Sequence, residues 1–286
     1  MNQNYIFVEK KMIVYPNAKI NLGLSIVNKR PDGFHSIETV MYPIPLFDKI
    51  TLIPIENYTG AEKLVFSSSG LTIDGELENN LIVKAFKLIN DDLNIAPTQI
   101  HLEKNIPFGA GLGGGSADCA FTINALNQLY DLKLTNKQME YYAAQLGSDC
   151  PFFIKNKPAL AKGRGEMLSE ISVNLKGWHL ALVIPPVGIN TKQAYSLVEP
   201  KTPKKPVEET IKQHIEQWKH NLENDFEISV YKQLPEIEQV KTTLYELGAA
   251  YASLSGSGSA SFGIFNTVLN IKAYFPENYF VWTSQL

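Results

Sequence analysis

The segment Gly109-Ala110-Gly111-Leu112-Gly113-Gly114-Gly115-Ser116 places five glycines in eight residues just ahead of a helical pattern. With no Cβ atoms in the way, several backbone N–H groups of such a loop can close on one anion at a helix N-terminus, so phosphate is its natural ligand. One helix end favours an anion by only about 0.3–1 kcal/mol, or about 2 when partly buried, so several N–H groups must act together. An unliganded tight turn is the alternative reading of the same glycines. Elsewhere, Lys19 and Asn21 put a cation and an amide one strand period apart. Asp149 precedes Pro151, a position where a carboxylate serves as a general base, as a helix N-cap, or as both. His35 offers a base edge a donor and an acceptor from one imidazole, although a histidine after a turn is usually solvated. Gly256-Ser257-Gly258 is a second loop of small residues, which composition alone reads as a tight turn.

These groups need elements to hold them. Ile20, Leu22, Leu24 and Ile26 alternate with Lys19, Asn21, Gly23 and Ser25, which predicts a half-buried strand with Lys19 and Asn21 on its polar face. Arg30-Pro31-Asp32-Gly33 is a turn signal and 34–44 a returning strand, together a β-hairpin. Leu81, Ala85, Leu88 and Ile89 predict a helix over 80–90. A strand over 99–106 enters the glycine loop, and Ala117, Ala120, Phe121, Ala125 and Leu129 mark the helix that leaves it. Thr135 and Gln138 form a capping box for the next helix, stopped by Gly147. Beyond Phe153, strands are expected at 159–162 and 178–184 and helices at 207–221 and 235–247, with a domain boundary near Asn156. The Pro- and Lys-rich stretch 198–208 reads as a solvated loop.

Three kinds of phosphate loop compete. A Walker loop requires Lys and then Ser or Thr after its last glycine, but Gly114 is followed by Gly115, so the cation is missing. The dinucleotide pattern G-x-G-x-x-G is matched by Gly109, Gly111 and Gly114, with Asp131 near the expected acidic position. That fold needs a second parallel strand ending at the acid, whereas the Thr135-capped helix follows Asp131, so the unit does not close. The third kind fits: P-x-x-x-G-L-G-G-G-S-A, starting at Pro107, resembles the ATP loop of the GHMP kinase family, which dispenses with a Walker lysine. PNAKINLGL from Pro16, RPDGFHSIETV from Arg30, LGSDCPFF from Leu146 and SLSGSGSASFGIF from Ser253 narrow the resemblance. Across nearly the whole chain after Met12 it points to the branch whose acceptor is a polyol linked to cytidine diphosphate.

The resemblance implies an α+β, two-domain GHMP kinase fold. Residues 1–156 would form an ATP-binding domain like domain 2 of ribosomal protein S5, and 157–286 a ferredoxin-like domain on the substrate side of the cleft. ATP would be the phosphate donor to a polyol hydroxyl. Asp149 matches the family's general base and Lys19 the lysine that sits by it and by the hydroxyl, with Asn21 on the polyol or phosphates. His35 matches the histidine that bonds cytosine, and Phe34 and Tyr195 the rings that sandwich it. Thr191, Gly256, Ser257 and Gly258 fall on the substrate side. Asn80 and Lys104 match positions near adenine, and Pro107, Gly109, Gly111, Leu112, Gly113, Gly114, Gly115 and Ser116 those around the phosphates. Mg²⁺ is implied by ATP chemistry and held mostly by phosphates and water, with Ser116 the first candidate ligand. Phe34 stands where tyrosine is frequent, and Met41 where an aromatic ring is frequent.

Composition narrows the setting. The 286 residues are 44% hydrophobic and 19% charged with net charge −3, which excludes general disorder and the basic footprint of a nucleic-acid binder. Cys119 and Cys150 are too few for a disulfide-stapled fold and lack metal-ligand spacing. No apolar run is long enough for a signal core or a membrane span. The expectation is a cytoplasmic monomer or weak homodimer that acts on a small molecule, with no membrane or nucleic-acid partner. Met12 offers a second start, so residues 1–11 read as a possible extension on which nothing rests.

Overall fold

The structure, a computed structural model, describes residues 11–286 apart from 74, 202, 204 and 269. Residues 1–10 of the expected extension, and 202 and 204 of the expected loop, therefore lie outside the described residues. The strands in chain order are β1 (Met12–Val14), β2 (Asn17–Lys29), β3 (His35–Phe47), β4 (Lys49–Pro54), β5 (Leu64–Gly70), β6 (Thr98–Lys104), β7 (Ala159–Lys162), β8 (Met167–Glu170), β9 (His179–Ile184), β10 (Tyr251–Leu254), β11 (Ser261–Phe265) and β12 (Phe280–Gln285). The helices are α1 (Leu81–Leu93), α2 (Gly114–Leu129), α3 (Asn136–Leu146), α4 (Cys150–Lys155), α5 (Thr191–Ser196), α6 (Val207–Thr210), α7 (Trp218–Asn221), α8 (Phe226–Gln233) and α9 (Pro235–Glu246). This mixture of segregated sheets and helices is an α+β fold. Among the described residues no helix is long and apolar enough to cross a membrane.

The chain forms two compact units that are not consecutive blocks. One holds the residues up to Pro16, Leu46–Ile106 and Gly114–Ile154; the other holds Asn17–Pro45, Pro107–Gly113 and Lys155–Leu286. The Ile154/Lys155 boundary lies close to the expected division at Asn156, but β2, most of β3 and the first half of the glycine loop group with the C-terminal half. The reason is hydrogen bonding, since β3 pairs with β7 and the backbone N–H of Lys19 donates to the Leu112 carbonyl at 2.9 Å.

In the first unit the sheet order is β1-β4-β6-β5, antiparallel except for the parallel β5/β6 pair. A parallel pair needs a crossover, which α1 supplies. Ile50, Leu52, Ile100 and Leu102 alternate inward and are buried, and α1, α2 and α3 pack on one another. Asn80 caps α1, its Oδ1 accepting from Ile82 N–H at 2.9 Å. The Thr135/Gln138 capping box forms as the sequence predicts. Asp131 lies in the turn ahead of it, ion-paired to Lys133 at 2.6 Å, and the element that follows α2 is the helix α3. Gly147 ends α3 in extended backbone (φ −179°), so its use lies in its small size and not in left-handed freedom.

In the second unit two four-stranded sheets form, of order β2-β3-β7-β8 and β10-β11-β9-β12. The predicted hairpin turn is present, with Arg30 N–H donating to Phe34 O at 2.8 Å and Gly33 at φ +84°. One core gathers Leu24, Ile26, Ile37, Ile189, Phe226, Val230 and Leu254, and another Val183, Val240, Leu244 and Phe265. Two expectations are corrected. The β2 strand is buried on both faces from Asn17 to Ile26, not half-buried, because the glycine loop covers Lys19 on its polar side and Leu222 lies against Gly23. The helix expected over 207–221 is broken into α6, a 3₁₀ turn and α7, since His214 is extended and the Trp218 indole N–H takes the Gln213 carbonyl at 3.1 Å.

The capping box gives the first test. Thr135→Ala removes the acceptor of the Gln138 N–H and should cost about 1 kcal/mol in urea unfolding; a change under about 0.3 kcal/mol would mean that the exposed cap contributes nothing.

Candidate active site

Within the second unit, β2, the loop 107–113 and the turn between β10 and β11 meet on one peptide group. The Lys19 ammonium donates to the Gly111 carbonyl at 2.9 Å and to Asn21 Oδ1 at 2.5 Å. Ser255 Oγ donates to the same carbonyl at 2.9 Å, and Ala260 N–H to Ala110 O at 3.1 Å. Asn21 Nδ2 donates to Thr39 Oγ1 at 3.1 Å, and that hydroxyl to Gly23 O at 2.5 Å, so β3 fixes the amide. Lys19 is only 3% exposed. A buried ammonium is tolerable only among acceptors, and a carbonyl and an amide oxygen supply them here.

Glycine is required at Gly111 by conformation and by space. Its φ is +80°, and a Cβ there would lie 2.0 Å from the Ser255 carbonyl oxygen. Gly256 (φ +56°) packs against it, its own Cβ position falling 3.3 Å from Gly111 Cα and 3.5 Å from Asn21 Oδ1. Ser257 Oγ lies 3.3 Å from Thr191 Oγ1, so the small-residue turn also touches the start of α5. The structure therefore brings Lys19, Asn21, Gly111, Gly256, Ser257 and Thr191 into one connected set.

The aromatic residues form a second group in the same unit. The rings of His35 and Tyr195 stack with centroids 5.0 Å apart and planes at 15°, and Phe226 meets Tyr195 edge-on at 4.8 Å. One face of Tyr195 is thus occupied by His35. Phe34 is exposed, with the Arg164 guanidinium 5.2 Å from its ring centroid. Burial, with a smaller contribution from Lys29, lowers the His35 pKa, which favours the neutral imidazole with one donor and one acceptor. Met41 is buried in β3 opposite Ala159.

In the first unit, α2 starts at Gly114, and the N–H groups of Gly114, Gly115 and Ser116 in its first turn have no intrahelical partner. Beneath it lies a buried ionic cluster. The Lys104 ammonium donates to Asp118 Oδ2 at 2.8 Å and to Asp48 Oδ2, while Asp48 Oδ1 accepts from Asn105 N–H at 2.6 Å and Ile106 N–H at 2.8 Å. A Cβ on Gly114 would lie 3.1 Å from that ammonium. Lys104, matched by resemblance to the adenine side, thus turns its charge into the protein. Burial opposes that charge, but Asp118 and Asp48 outweigh it and raise the Lys104 pKa. For Asp118 the balance is reversed: burial outweighs the attraction of Lys104 and lifts its pKa to about 7. The other oxygen of Asp118 has no hydrogen-bond partner among the described residues.

Asp149 is half-buried in the turn between α3 and α4 and precedes the first residue of α4. The place of a Cβ on Gly147 is 3.0 Å from Cys150 Sγ and 3.9 Å from Ser116 Oγ, so this turn lies against the start of α2. Asp149 and the start of α2 are neighbours within one unit, whereas Lys19 belongs to the other. Pro107, Gly109 (φ +70°), the buried Leu112 and Gly113 (φ +70°) complete the loop. Among the described residues no cluster of three His, Cys, Asp or Glu side chains could hold a metal. Ser255, Thr39, Asp48, Asp118, Arg164 and Phe226 were not foreseen. Of these, Ser255 lies within the quoted SLSGSGS segment and Thr39 within RPDGFHSIETV.

Two experiments test this geometry. Gly111→Ala should destabilise the chain by at least about 2 kcal/mol, against about 1 for Gly33→Ala, which has the same backbone sign but open space. Equal losses in thermal unfolding would show that close approach at Gly111 is not limiting. Asp118 ionises at about 7 when folded, against an ordinary 3.8. It therefore holds its proton more tightly in the folded chain, so the stability it confers is complete below about pH 4 and fades as pH rises to about 7. Asp118→Asn should flatten stability over that window, and an unchanged slope would assign the titration elsewhere.

The sequence profile of the GHMP kinases N terminal domain matches residues 80–157, and that of GHMP kinases C terminal matches 207–280. The chain is 47% identical over 275 residues to a 4-diphosphocytidyl-2-C-methyl-D-erythritol kinase of Bacteroides fragilis strain YCH46, covering 96% of this chain and 100% of the relative. It is 48% identical over 257 residues to the kinase of that name from Cytophaga hutchinsonii, covering 90% and 93%. A crystal structure of 4-(cytidine 5'-diphospho)-2C-methyl-D-erythritol kinase is similar with TM-score 0.76 and 32% identity, covering 88% of this chain and 90% of that one. A homoserine kinase from Cytophaga hutchinsonii, at TM-score 0.68 and 16% identity over 100% and 98%, shares the fold. With near-half identity held from end to end, and both halves of the GHMP kinase signature in place, the chain belongs to the 4-diphosphocytidyl-2-C-methyl-D-erythritol kinases of the GHMP kinase family.

Proposed function

We propose that the chain transfers the γ-phosphoryl group of ATP to the 2-hydroxyl of 4-diphosphocytidyl-2-C-methyl-D-erythritol, giving the 2-phosphate and ADP in the non-mevalonate route to isoprenoids. The observation that supports it most is the set joined through the Gly111 carbonyl, where a buried ammonium, an amide and two glycine turns come together in one unit. Phosphoryl transfer asks a protein for positioning and charge stabilisation more than for covalent chemistry, and such a set supplies both.

In this reading the bare N–H groups from Gly109 to Ser116 cradle the triphosphate, and the α2 dipole favours its charge. Pro107 and Leu112 shape the loop. Asn80 and Lys104, whose side chains are engaged in capping α1 and in the buried cluster, frame the adenine side without contacting the base through those groups. Mg²⁺ would shield the β- and γ-phosphates, carried mostly by phosphate oxygens and water, with the Ser116 hydroxyl the first candidate among protein groups. Asp149 accepts the proton of the acceptor hydroxyl, Lys19 stabilises charge developing on the reacting oxygens, and Asn21 orients the polyol. Neutral His35 bonds the cytosine edge, and Phe34 and Tyr195 offer ring faces to the base, at about 1–3 kcal/mol per stacked base. Thr191, Gly256, Ser257 and Gly258 line the acceptor. The domain division proposed is ATP binding over 1–156 and substrate contacts over 157–286, in a cytoplasmic monomer or weak homodimer.

Asp149→Asn should lower kcat by at least about 10²-fold with little change in the KM for ATP. His35→Ala should chiefly raise the KM for the cytidine acceptor. Near-normal turnover in the first variant would remove Asp149 as base, and a raised KM for ATP in the second would place His35 on the donor side.

A further inference from the structure

The segment Glu223-Asn224-Asp225-Phe226-Glu227 touches, from five consecutive residues, most of what holds the acceptor-side groups in the second unit. Its backbone pairs with β2 around Leu24: Leu24 N–H donates to Glu223 O at 2.9 Å, and Asp225 N–H to Leu24 O at 2.8 Å. Asp225 Oδ2 accepts from Ile26 N–H at 2.7 Å, and the Phe226 ring braces Tyr195. Glu227 Oε1 accepts from Ser253 Oγ and Leu254 N–H, both at 3.1 Å, while its other oxygen pairs with Lys241 at 2.6 Å. Asn224, 2% exposed, spends its whole side chain: Nδ2 donates to Leu254 O at 2.8 Å and Gly256 O at 2.9 Å, and Oδ1 accepts from Phe226 N–H at 3.0 Å.

We propose that Asn224 is a positioning residue of the reaction, whose amide sets the path of the 255–258 turn and so holds Gly256 against Gly111 and Asn21. The chemistry selects asparagine. Two carbonyl oxygens on the turn need two N–H donors from one point, while the start of α8 needs an acceptor at the same point, and a primary amide supplies all three. With the donors removed, the Leu254 and Gly256 carbonyls lose the amide that holds them, and the turn at Gly256 (φ +56°) is free to shift. Gly256 lies against the very groups that orient Lys19, so a shift of about 1 Å there can cost about 10²-fold in rate. Asn224 touches no reactant in this account. The proposal rests on the reading of the 256–258 turn as acceptor-facing.

Asn224→Ser keeps an acceptor for Phe226 N–H but cannot reach the turn, and Asn224→Asp keeps the shape while facing two carbonyls with a carboxylate. Hydrogen exchange is read at Ser255 and Gly258, whose N–H groups bond Ala260 O at 2.8 Å and Ser255 O at 3.0 Å, beside steady-state kinetics with the cytidine acceptor. Expected in Asn224→Ser is exchange at least about 10-fold faster at both amides with β9 unchanged, and kcat/KM for the acceptor about 10-fold lower or worse; Asn224→Asp should lose more. Should neither variant fold, Asn224→Gln, which displaces the amide by one methylene, is expected to show the same pattern. A variant that is merely less thermostable, with wild-type exchange in the turn and wild-type kcat/KM, overturns the proposal, as does a kinetic loss without faster exchange. Faster exchange in a chain whose wild type does not phosphorylate the cytidine acceptor upholds the positioning of the turn and overturns the proposed acceptor instead.

Discussion

One peptide carbonyl, that of Gly111, takes hydrogen bonds from the Lys19 ammonium and the Ser255 hydroxyl, joining residues far apart in the chain. Much of the second unit's chemistry depends on that junction. The buried ammonium needs acceptors, the loop must come close enough to supply one, and only a residue without Cβ can come that close to Ser255. The glycines here serve two ends at once. Those from Gly109 to Gly113 bend the chain through left-handed conformations, and Gly111 and Gly256 also let two turns touch back to back.

The first unit meets a related electrostatic problem in a different way. Two carboxyls are buried by the start of α2, Asp118 on the helix itself and Asp48 joined to it through Lys104. Lys104 bonds both, and burial lifts the Asp118 pKa to about 7, so the cluster gains negative charge as the pH rises through neutrality. Asp48 also caps the backbone N–H groups of Asn105 and Ile106 where β6 runs into the loop. The cluster thus fixes where the chain leaves β6 for the glycine loop.

What the sequence made legible was local. The strand from Lys19 to Ile26, the Thr135/Gln138 cap, the Gly33 turn and the strand-loop-helix order around the glycines depend on neighbours in the chain, and the structure contains all of them. Burial of the polar face of β2 was not legible, because it depends on a loop some ninety residues away. The break at His214 was hidden for a similar reason: Val207, Ile211, Ile215 and Trp218 keep helical spacing, but the Trp218 indole claims a backbone carbonyl. Asp48, Asp118 and Thr39 looked like ordinary polar residues, since their partners are distant in sequence or their burial has no local mark. The glycine segments betrayed the site because backbone conformation, unlike side-chain partnership, is written in residue type.

The central claim is that a kinase of this family, so arranged, selects an acceptor by its cytidine end. The most direct measurement is ADP release by the purified chain with ATP and Mg²⁺, offered in turn 4-diphosphocytidyl-2-C-methyl-D-erythritol, mevalonate and homoserine. A site built to hydrogen-bond and stack a base should prefer the cytidine-linked polyol by at least about 10³-fold in kcat/KM. Comparable rates with all three acceptors, or faster release with one that carries no base, would contradict the account.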